Sequence, residues 1–265
     1  MTDGVYRRRI ELRPSAGVVA GAMEDYVHHF AIRLHHDEGV ISGVDIGPER
    51  VPWTTCPVGA AGLAALVGVG LDDVAAIDGW MGGRSAQCVH TVDLAVLSAA
   101  AALRGGDRTY EVWVEPLDDG TRVASLIRDG DPWATWRIRG GEMVDDGGFA
   151  GLHLGREAFS TWIREHLGPD DAEAAFVLRR GAFIGMSRTY DMDALSGPGG
   201  AHGPDESCHT YRSDVIEVSF RNRGTTRFTE EDGVGAPIRP AAVRSVRRHG
   251  AGGDVGEASP ESRTG

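Results

Sequence analysis

The chain has 265 residues, of which 41% are hydrophobic and 25% are charged, and its formal net charge is −12. This length and apolar content suffice to bury a core without disulfides. The acidic balance argues against general binding to nucleic acid or anionic lipid, because both are bound through clustered positive charge. The absence of lysine excludes Schiff-base chemistry by a lysine side chain.

The cysteine content favours a reducing compartment. Cys56, Cys88 and Cys208 are widely spaced and odd in number, and the chain does not start like a signal peptide. We therefore expect a cytoplasmic protein rather than a disulfide framework. The longest apolar run, from Leu94 to Leu103, is too short to span a bilayer, so we expect a soluble protein without a membrane partner.

The first part of the chain predicts strands followed by helices. The basic sequence YRRRIELR near the start is predicted to be a solvated arm. Alternating apolar residues at 27–34, a polar turn and the sequence GVISGVDI predict a β-hairpin. Helices are predicted after Cys56, over LDDVAAI, and from Cys88 to about Arg104.

The second part of the chain predicts a further α+β unit. TYEVWVE, TRVASLIRD and PWATWRIRG predict strands, and two helical segments follow them, GREAFSTWIREHL and DDAEAAFVLRRGAF. The sequence DVIEVSFRN predicts a last strand. We found no internal repeat. The overall prediction is an α+β fold with a metal-binding unit at 1–105, a second unit at 106–232 that covers the site, and a disordered tail at 233–265.

Two cysteines stand at predicted helix starts, Cys56 before a proline-started helix and Cys88 before an alanine-rich one. The partial positive charge of a helix N-terminus favours the thiolate, which makes Cys88 a candidate nucleophile or ligand. If the two helices pack side by side, both sulfurs face one point, as in soft-ligand zinc or iron sites. The alternative is that each thiol is simply a buried small side chain.

Further donors lie close to the predicted hairpin and on the third helix. Glu24, Asp25 and His28 lie at the entrance of the first predicted strand and offer oxygen and nitrogen ligands, although His28 can equally be a core residue. His90 and Asp93 are three residues apart on a helix, so the carboxylate can fix the imidazole tautomer. The alternative for this pair is a capping histidine and a first-turn aspartate.

Arg188 is the candidate anchor for an acidic substrate, because arginine holds carboxylate or phosphate groups through paired hydrogen bonds. It lies in the sequence VLRRGAFIGMSRTYDMD. The alternative is surface ion pairing with one of the many acidic residues.

Two resemblances add to this reading. Residues 30–103 resemble the iron–sulfur cluster scaffold proteins of the IscU and NifU type in the order of hairpin, cysteine, helix and second cysteine at an alanine-rich helix. This resemblance implies that Cys56 and Cys88 match two of the cluster or zinc ligands and that Asp25 falls near the aspartate beside the first ligand. Met23 or Glu24 stands where that family has its remaining cysteine.

The chain from about residue 6 to 231 also resembles a bacterial family of unknown function. Four motifs carry this resemblance in order, RVPWTTCP, QCVHTVDLA, VLRRGAFIGMSRTYDMD and CHTYRSD. The resemblance implies that the thiol and histidine motifs belong together with the second unit, and it implies no activity.

Together these features predict a cytoplasmic protein that binds zinc or iron and acts as a small-molecule enzyme of the lyase or hydrolase type. The ion would polarise a carbonyl group or activate water on an acidic substrate. The predicted metal ligands are Cys56, Cys88, one acid from Glu24 or Asp25, and His28 or His90, and the predicted catalytic residues are His90, as proton shuttle, and Arg188. The alternatives are a non-catalytic iron–sulfur scaffold or sulfur carrier, and a metal-free interaction protein with buried thiols.

Overall fold

The computed structural model of the chain describes residues 4–75, 87–144, 148–189, 191–201 and 207–227. The described strands are β1 (Tyr6–Ser15), β2 (Val18–Asp25), β3 (His29–Asp37), β4 (Val40–Arg50), β5 (Arg108–Pro116), β6 (Arg122–Arg128), β7 (Asp131–Arg139) and β8 (Glu142–Met143). The α-helices are α1 (Cys56–Ala61), α2 (Leu71–Ala75), α3 (Val89–Arg104), α4 (Arg156–His166) and α5 (Pro169–Ile184). The predicted α+β class is confirmed.

All eight strands form one antiparallel sheet in the order β4-β3-β2-β1-β5-β6-β7-β8. β1 pairs with β2 on one side and with β5 on the other, so Arg9 lies opposite both Glu24 and Glu111. The sheet therefore continues across the boundary predicted at residue 105. On one side of the sheet the strands follow in the order β1-β2-β3-β4, and on the other side in the order β5-β6-β7-β8. Each half is therefore a four-stranded meander followed by helices.

The N-terminal sequence YRRRIELR is β1, in the interior of the sheet, and the prediction of a solvated arm is wrong. Tyr6, Ile10 and Leu12 alternate along the strand and are buried. Two of the arginines are buried as well, because Arg7 stacks on the Trp113 ring at 4.5 Å and Arg8 pairs with a buried carboxylate. Buried, partnered arginines explain why a basic sequence occupies the middle of the sheet.

Helix α3 packs across β1, β2 and β3 with its small and apolar residues facing the sheet. Gly21 in β2 allows this approach, because a Cβ atom there would lie 2.9 Å from Ile32 Cγ2 and 3.1 Å from Ser98 Oγ. Helix α5 packs in the same way against β5 and β6. Because α3 packs closely on the sheet, its first turn, which carries His90, is held against the β2–β3 turn.

Most predicted elements are confirmed: the β3–β4 hairpin, α3, the strands β5 to β7, and the helices α4 and α5. The strand predicted over DVIEVSFRN is wrong, because Ile216–Val218 forms a 3-10 helix and Phe220 is exposed. This segment is held instead by Arg221, which donates to the carbonyl oxygens of Pro52 at 3.0 Å and Met192 at 2.9 Å. The tail predicted at 233–265 lies outside the described residues.

Within the described ranges, we found no helix with the length and apolar character needed to cross a bilayer.

Candidate functional site

The candidate site forms where the turn between β2 and β3 meets the first turn of α3. Asp25 is the last residue of β2, and its Oδ1 accepts the backbone N–H of Val27 at 3.0 Å and of His28 at 2.9 Å. An aspartate that bonds to the backbone just ahead of it stabilises a tight turn. The turn places the His28 side chain back over the carboxylate.

Asp25 is buried, with 2% of its surface exposed, and charged groups surround it. Its Oδ2 accepts hydrogen bonds from the Tyr6 hydroxyl at 3.0 Å and from Arg8 Nη2 at 3.1 Å. Burial alone would raise the pKa of the carboxyl group, but His28 and Arg8 hold the pKa of Asp25 well below its usual value. Asp25 is therefore an ionised carboxylate at neutral pH.

The imidazole rings of His28 and His90 lie next to this carboxylate. His28 Nδ1 lies 2.9 Å from Asp25 Oδ1, and the rings of His28 and His90 are in contact, tilted by 32° with their centroids 4.0 Å apart. Burial lowers the pKa of His90 well below its usual value, and the neighbouring His28 and Arg8 lower it further. His90 is therefore neutral, and its Nε2 is a buried atom without a hydrogen-bond partner in the part of the chain described.

Asp25, His28 and His90 each offer a donor atom, and these atoms all lie within 4.8 Å of one another. They form the one such group of three among the His, Cys, Asp and Glu side chains in the described ranges. Of the predicted ligands the structure thus brings together Asp25, His28 and His90, the last of which was also predicted as a proton shuttle.

Cys88 immediately precedes α3 and lies beside this group, with its Sγ 3.8 Å from His90 Nδ1. The expectation of a thiolate at the helix start is wrong. Burial raises the pKa of Cys88 far above its usual value, and the backbone N–H groups of Thr91 and His90 offset only part of this effect. Desolvation of the charged form exceeds the stabilisation by the helix N-terminus.

Cys56 is the first residue of α1 and faces a segment from the second half of the chain. Its Sγ lies 3.7 Å from Thr210 Oγ1, and burial raises its pKa to about 12. Negative charge on Cys56 or Cys208 would raise the pKa of Cys88 further, so all three thiols share one region. Cys56 is nevertheless outside the group of three donors, and its role as a ligand remains a prediction.

Glu24 and Asp25 are adjacent in sequence but differ in environment. Successive side chains of a strand point to opposite faces of the sheet. Glu24 is only part-buried and accepts a hydrogen bond from Arg50 Nη2 at 2.8 Å. Of the two acids offered as alternatives, Asp25 is the one that the strand directs to the site.

Asp93 does not orient His90 as its spacing predicts. It bonds to Arg180 of α5, with Oδ1 2.9 Å from Nη2, and this pair ties α3 to α5. The nearest partner of His90 Nδ1 is Cys88 instead. The carboxylate that orients an imidazole in this site is Asp25, and the imidazole is His28.

Arg188, the predicted substrate anchor, lies at the edge of the same region. Its Nε donates to the Val5 carbonyl oxygen at 3.0 Å, and its guanidinium group lies over the Tyr26 ring at 5.0 Å. Tyr26 follows Asp25 in the chain, and its hydroxyl donates to Ser187 Oγ at 2.7 Å. These contacts hold the segment after α5 against the β2–β3 turn, and a role in substrate binding remains a prediction.

Tyr6 and Arg8 belong to the site and were missed from the sequence. Both contact the Asp25 carboxylate from β1, which pairs with β2. The alternation of Tyr6, Arg8 and Ile10 in YRRRIELR was the available signal, because residues two apart on a strand share one face. The many arginines in this sequence favoured the prediction of a solvated arm over that of a strand.

Comparison with known protein families finds a match to a family of unknown function. Residues 9–104, which hold all the predicted site residues except Arg188, match the family described as "Protein of unknown function (DUF2889)". The predicted resemblance to such a family is confirmed, whereas the resemblance to iron–sulfur scaffold proteins is not. No curated protein matches the chain. This segment of the chain is therefore similar to the DUF2889 family, whose function is unknown.

Proposed function

We propose that His28 and His90 bind one Zn²⁺ or Fe²⁺ ion through their Nε2 atoms. The observation that carries this proposal is the buried group of donors from Asp25, His28 and His90, all within 4.8 Å of one another. Nε2 of His90 lacks a hydrogen-bond partner among the described residues. An unpaired buried nitrogen costs free energy, and a metal ligand bond would offset that cost.

The Nδ1 atoms of both histidines have partners, so the proposed ion would bind Nε2 of each ring. His28 Nδ1 lies 2.9 Å from Asp25 Oδ1, and His90 Nδ1 lies 3.8 Å from Cys88 Sγ. A metal-binding histidine usually donates its second ring N–H to a carboxylate or a similar acceptor, which fixes the tautomer that leaves the other nitrogen free. This pattern supports Nε2 as the ligand atom in each ring.

Asp25 fits the role of an orienting group better than that of a ligand. Its two oxygens already accept hydrogen bonds from Tyr6, Arg8, two backbone N–H groups and His28. Arg8 also balances the charge of the carboxylate. A metal ion bound directly to Asp25 would have to displace these donors, so we assign Asp25 to holding the His28 ring.

Binding requires one movement within the site. The two rings are tilted by 32° to each other, whereas a metal ion lies in the plane of each imidazole that it binds. Because Asp25 holds the His28 ring, the His90 ring must turn about its Cβ–Cγ bond before both nitrogens reach one ion. The torsion about this bond has broad energy wells in histidine.

An ion with two protein ligands keeps open positions for water and substrate. Such an ion polarises a carbonyl group or lowers the pKa of a bound water molecule, which supports a small-molecule enzyme of the hydrolase or lyase type. Arg188 is the residue that we propose to face an acidic substrate. We also propose a cytoplasmic location, because Cys56, Cys88 and Cys208 are all free thiols.

Titration with Co²⁺ tests the proposal, because cobalt replaces zinc and its visible absorption reports the ligand set. We expect saturable absorption bands in the wild-type chain and their loss in the His28→Gln and His90→Gln variants. His35→Gln is the matched control, since His35 is an exposed histidine on β3 whose Nε2 bonds to Asp45 at 3.0 Å. Equal spectra in all four proteins would overturn the proposal.

A further inference from the structure

The three cysteines of the chain meet at one junction of three segments. Cys56 begins α1, Cys88 precedes α3, and Cys208 precedes the 3-10 helix His209–Tyr211. These positions are far apart in the sequence, and Cys208 belongs to the second half of the chain. The proposed metal site uses none of the three sulfurs as a ligand.

Backbone hydrogen bonds hold the three segments in contact. The Cys88 N–H donates to the Gly59 carbonyl oxygen at 3.1 Å, and the His209 N–H donates to the Gln87 carbonyl oxygen at 2.9 Å. Gly59 permits this approach, because a Cβ atom on it would lie 2.8 Å from His209 Cβ. The residues next to each cysteine are therefore fixed against one another.

The contact between α1 and the segment around Cys208 is made by side chains as well. Thr210 Oγ1 lies 3.7 Å from Cys56 Sγ and 2.9 Å from Thr55 Oγ1. Ser219 Oγ extends this hydroxyl chain, 2.8 Å from Thr55 Oγ1. Cys208 is more exposed than Cys56 or Cys88, which are both buried. A small oxidant in solution therefore reaches Cys208 before the other two thiols.

We propose that Cys208 and Cys56 form a reversible disulfide on exposure to hydrogen peroxide, and that this bond fastens the 207–211 segment to the start of α1. The Cys208 sulfur first attacks one peroxide oxygen, the O–O bond breaks, and a sulfenic acid and water form. The Cys56 sulfur then attacks the Cys208 sulfur, the S–O bond breaks, and the second water leaves with the proton of the Cys56 thiol.

The consequence is a redox-dependent covalent link between the 207–211 segment and α1, beside the candidate site. Cys88 is left as a free thiol, 3.8 Å from His90 Nδ1. Oxidation removes two hydrogen atoms from the protein and reduces one peroxide molecule to two waters, and a thiol reductant reverses it. The proposal does not depend on metal binding, so the two can fail separately.

The test is a count of free thiols in the full chain after peroxide treatment and denaturation, followed by peptide mapping without reduction. We expect the count to fall from three in the reduced protein to one, with Cys88 the remaining thiol. Intact mass should decrease by the mass of two hydrogen atoms per chain. Treatment with dithiothreitol should restore all three thiols.

Variants identify the pair. Cys88→Ser should still form the disulfide, and Cys208→Ser should keep both of its remaining thiols. Cys56→Ser should form no disulfide, because its Cys208 stops at the sulfenic acid and Cys88 stays free. The proposal is overturned if the oxidised wild type retains three thiols, gains oxygen without losing hydrogen, forms a disulfide between two chains, or joins a pair that includes Cys88.

Discussion

Asp25 bonds to His28 twice, through the backbone N–H at 2.9 Å and through ring Nδ1 at 2.9 Å. One carboxylate thus fixes both the turn that carries the histidine and the direction of the histidine ring. Tyr6 and Arg8 hold the same carboxylate from the neighbouring strand. The position of His28 is therefore set by the sheet itself, and α3 brings His90 onto it.

Replacing Asp25 with asparagine should destabilise the fold by about 3–5 kcal/mol, because it leaves the Arg8 guanidinium buried without its counter-charge. Arg8 and Asp25 are both almost completely buried, which makes the pair insensitive to solvent screening. Urea denaturation measures the effect. Asp45→Asn is the control, since Asp45 is exposed and its loss should change the free energy of unfolding by no more than about 0.5 kcal/mol. Equal losses of unfolding free energy in the two variants would contradict the role of Asp25 as the counter-charge of Arg8.

His90 should make stability depend on pH below neutrality. Its pKa in the folded protein is lowered, so below the ordinary value of about 6.5 the unfolded chain holds a proton that the folded chain does not. Stability is then lost as the pH falls from about 6.5 toward the lowered pKa, by up to about 1.4 kcal/mol per pH unit.

Denaturation curves from pH 7 to pH 5 test this dependence. The His90→Gln variant should lack this component of the slope, and His35→Gln should retain it because His90 is still present. An unchanged slope in His90→Gln would show that His90 is not a buried neutral imidazole.

The buried thiols should react slowly in the native protein. Burial raises the pKa of Cys56 to about 12 and that of Cys88 further, so little thiolate is present at neutral pH. After treatment with a chelator, both should react with iodoacetamide at least about tenfold more slowly than in the urea-unfolded chain. Mass spectrometry of the labelled peptides gives the rate for each cysteine. Rapid labelling of Cys88 in the native protein would show that Cys88 is a thiolate, as its position before α3 predicts.

Gly59→Ala should weaken the junction of α1, α3 and the segment at 207–211. Its Cβ atom would lie 2.8 Å from His209 Cβ and 3.1 Å from the Cys88 backbone nitrogen, neither of which moves freely. We expect a loss of about 1–3 kcal/mol in unfolding free energy. Gly62→Ala is the matched control, because its nearest neighbour is the flexible Gln87 side chain, with Cγ at 3.0 Å. Equal stabilities of the two variants would contradict the packing described.

Much of the fold could be predicted from apolar periodicity. The period-two pattern of 27–34 yields β3 as predicted, because that strand has a single buried face. The alanine-rich sequence after Cys88 yields α3 as predicted, and this helix is buried along most of its length. β1 was missed because its arginines are buried by partners that lie elsewhere in the sequence, Trp113 for Arg7 and Asp25 for Arg8. Such pairing is a tertiary property, so the local alternation of Tyr6, Arg8 and Ile10 does not by itself show that the arginines are buried.

The candidate site was predicted in part for the same reason. His28 and Asp25 are close in sequence, so their contact follows from a tight turn. The contact between the His90 and His28 rings depends on how α3 packs on the sheet, which spacing along the chain does not specify. The expected thiolate at Cys88 failed because local helix geometry was considered without the burial that outweighs it.

The central claim is that His28 and His90 bind a metal ion, and metal analysis by mass spectrometry tests it most directly. The chain, purified without a histidine tag from zinc- and iron-supplemented culture, should carry about one zinc or iron ion. His28→Gln and His90→Gln should lose that ion while His35→Gln retains it. A wild-type chain without bound metal, or histidine variants with the same metal content as the wild type, would contradict the claim.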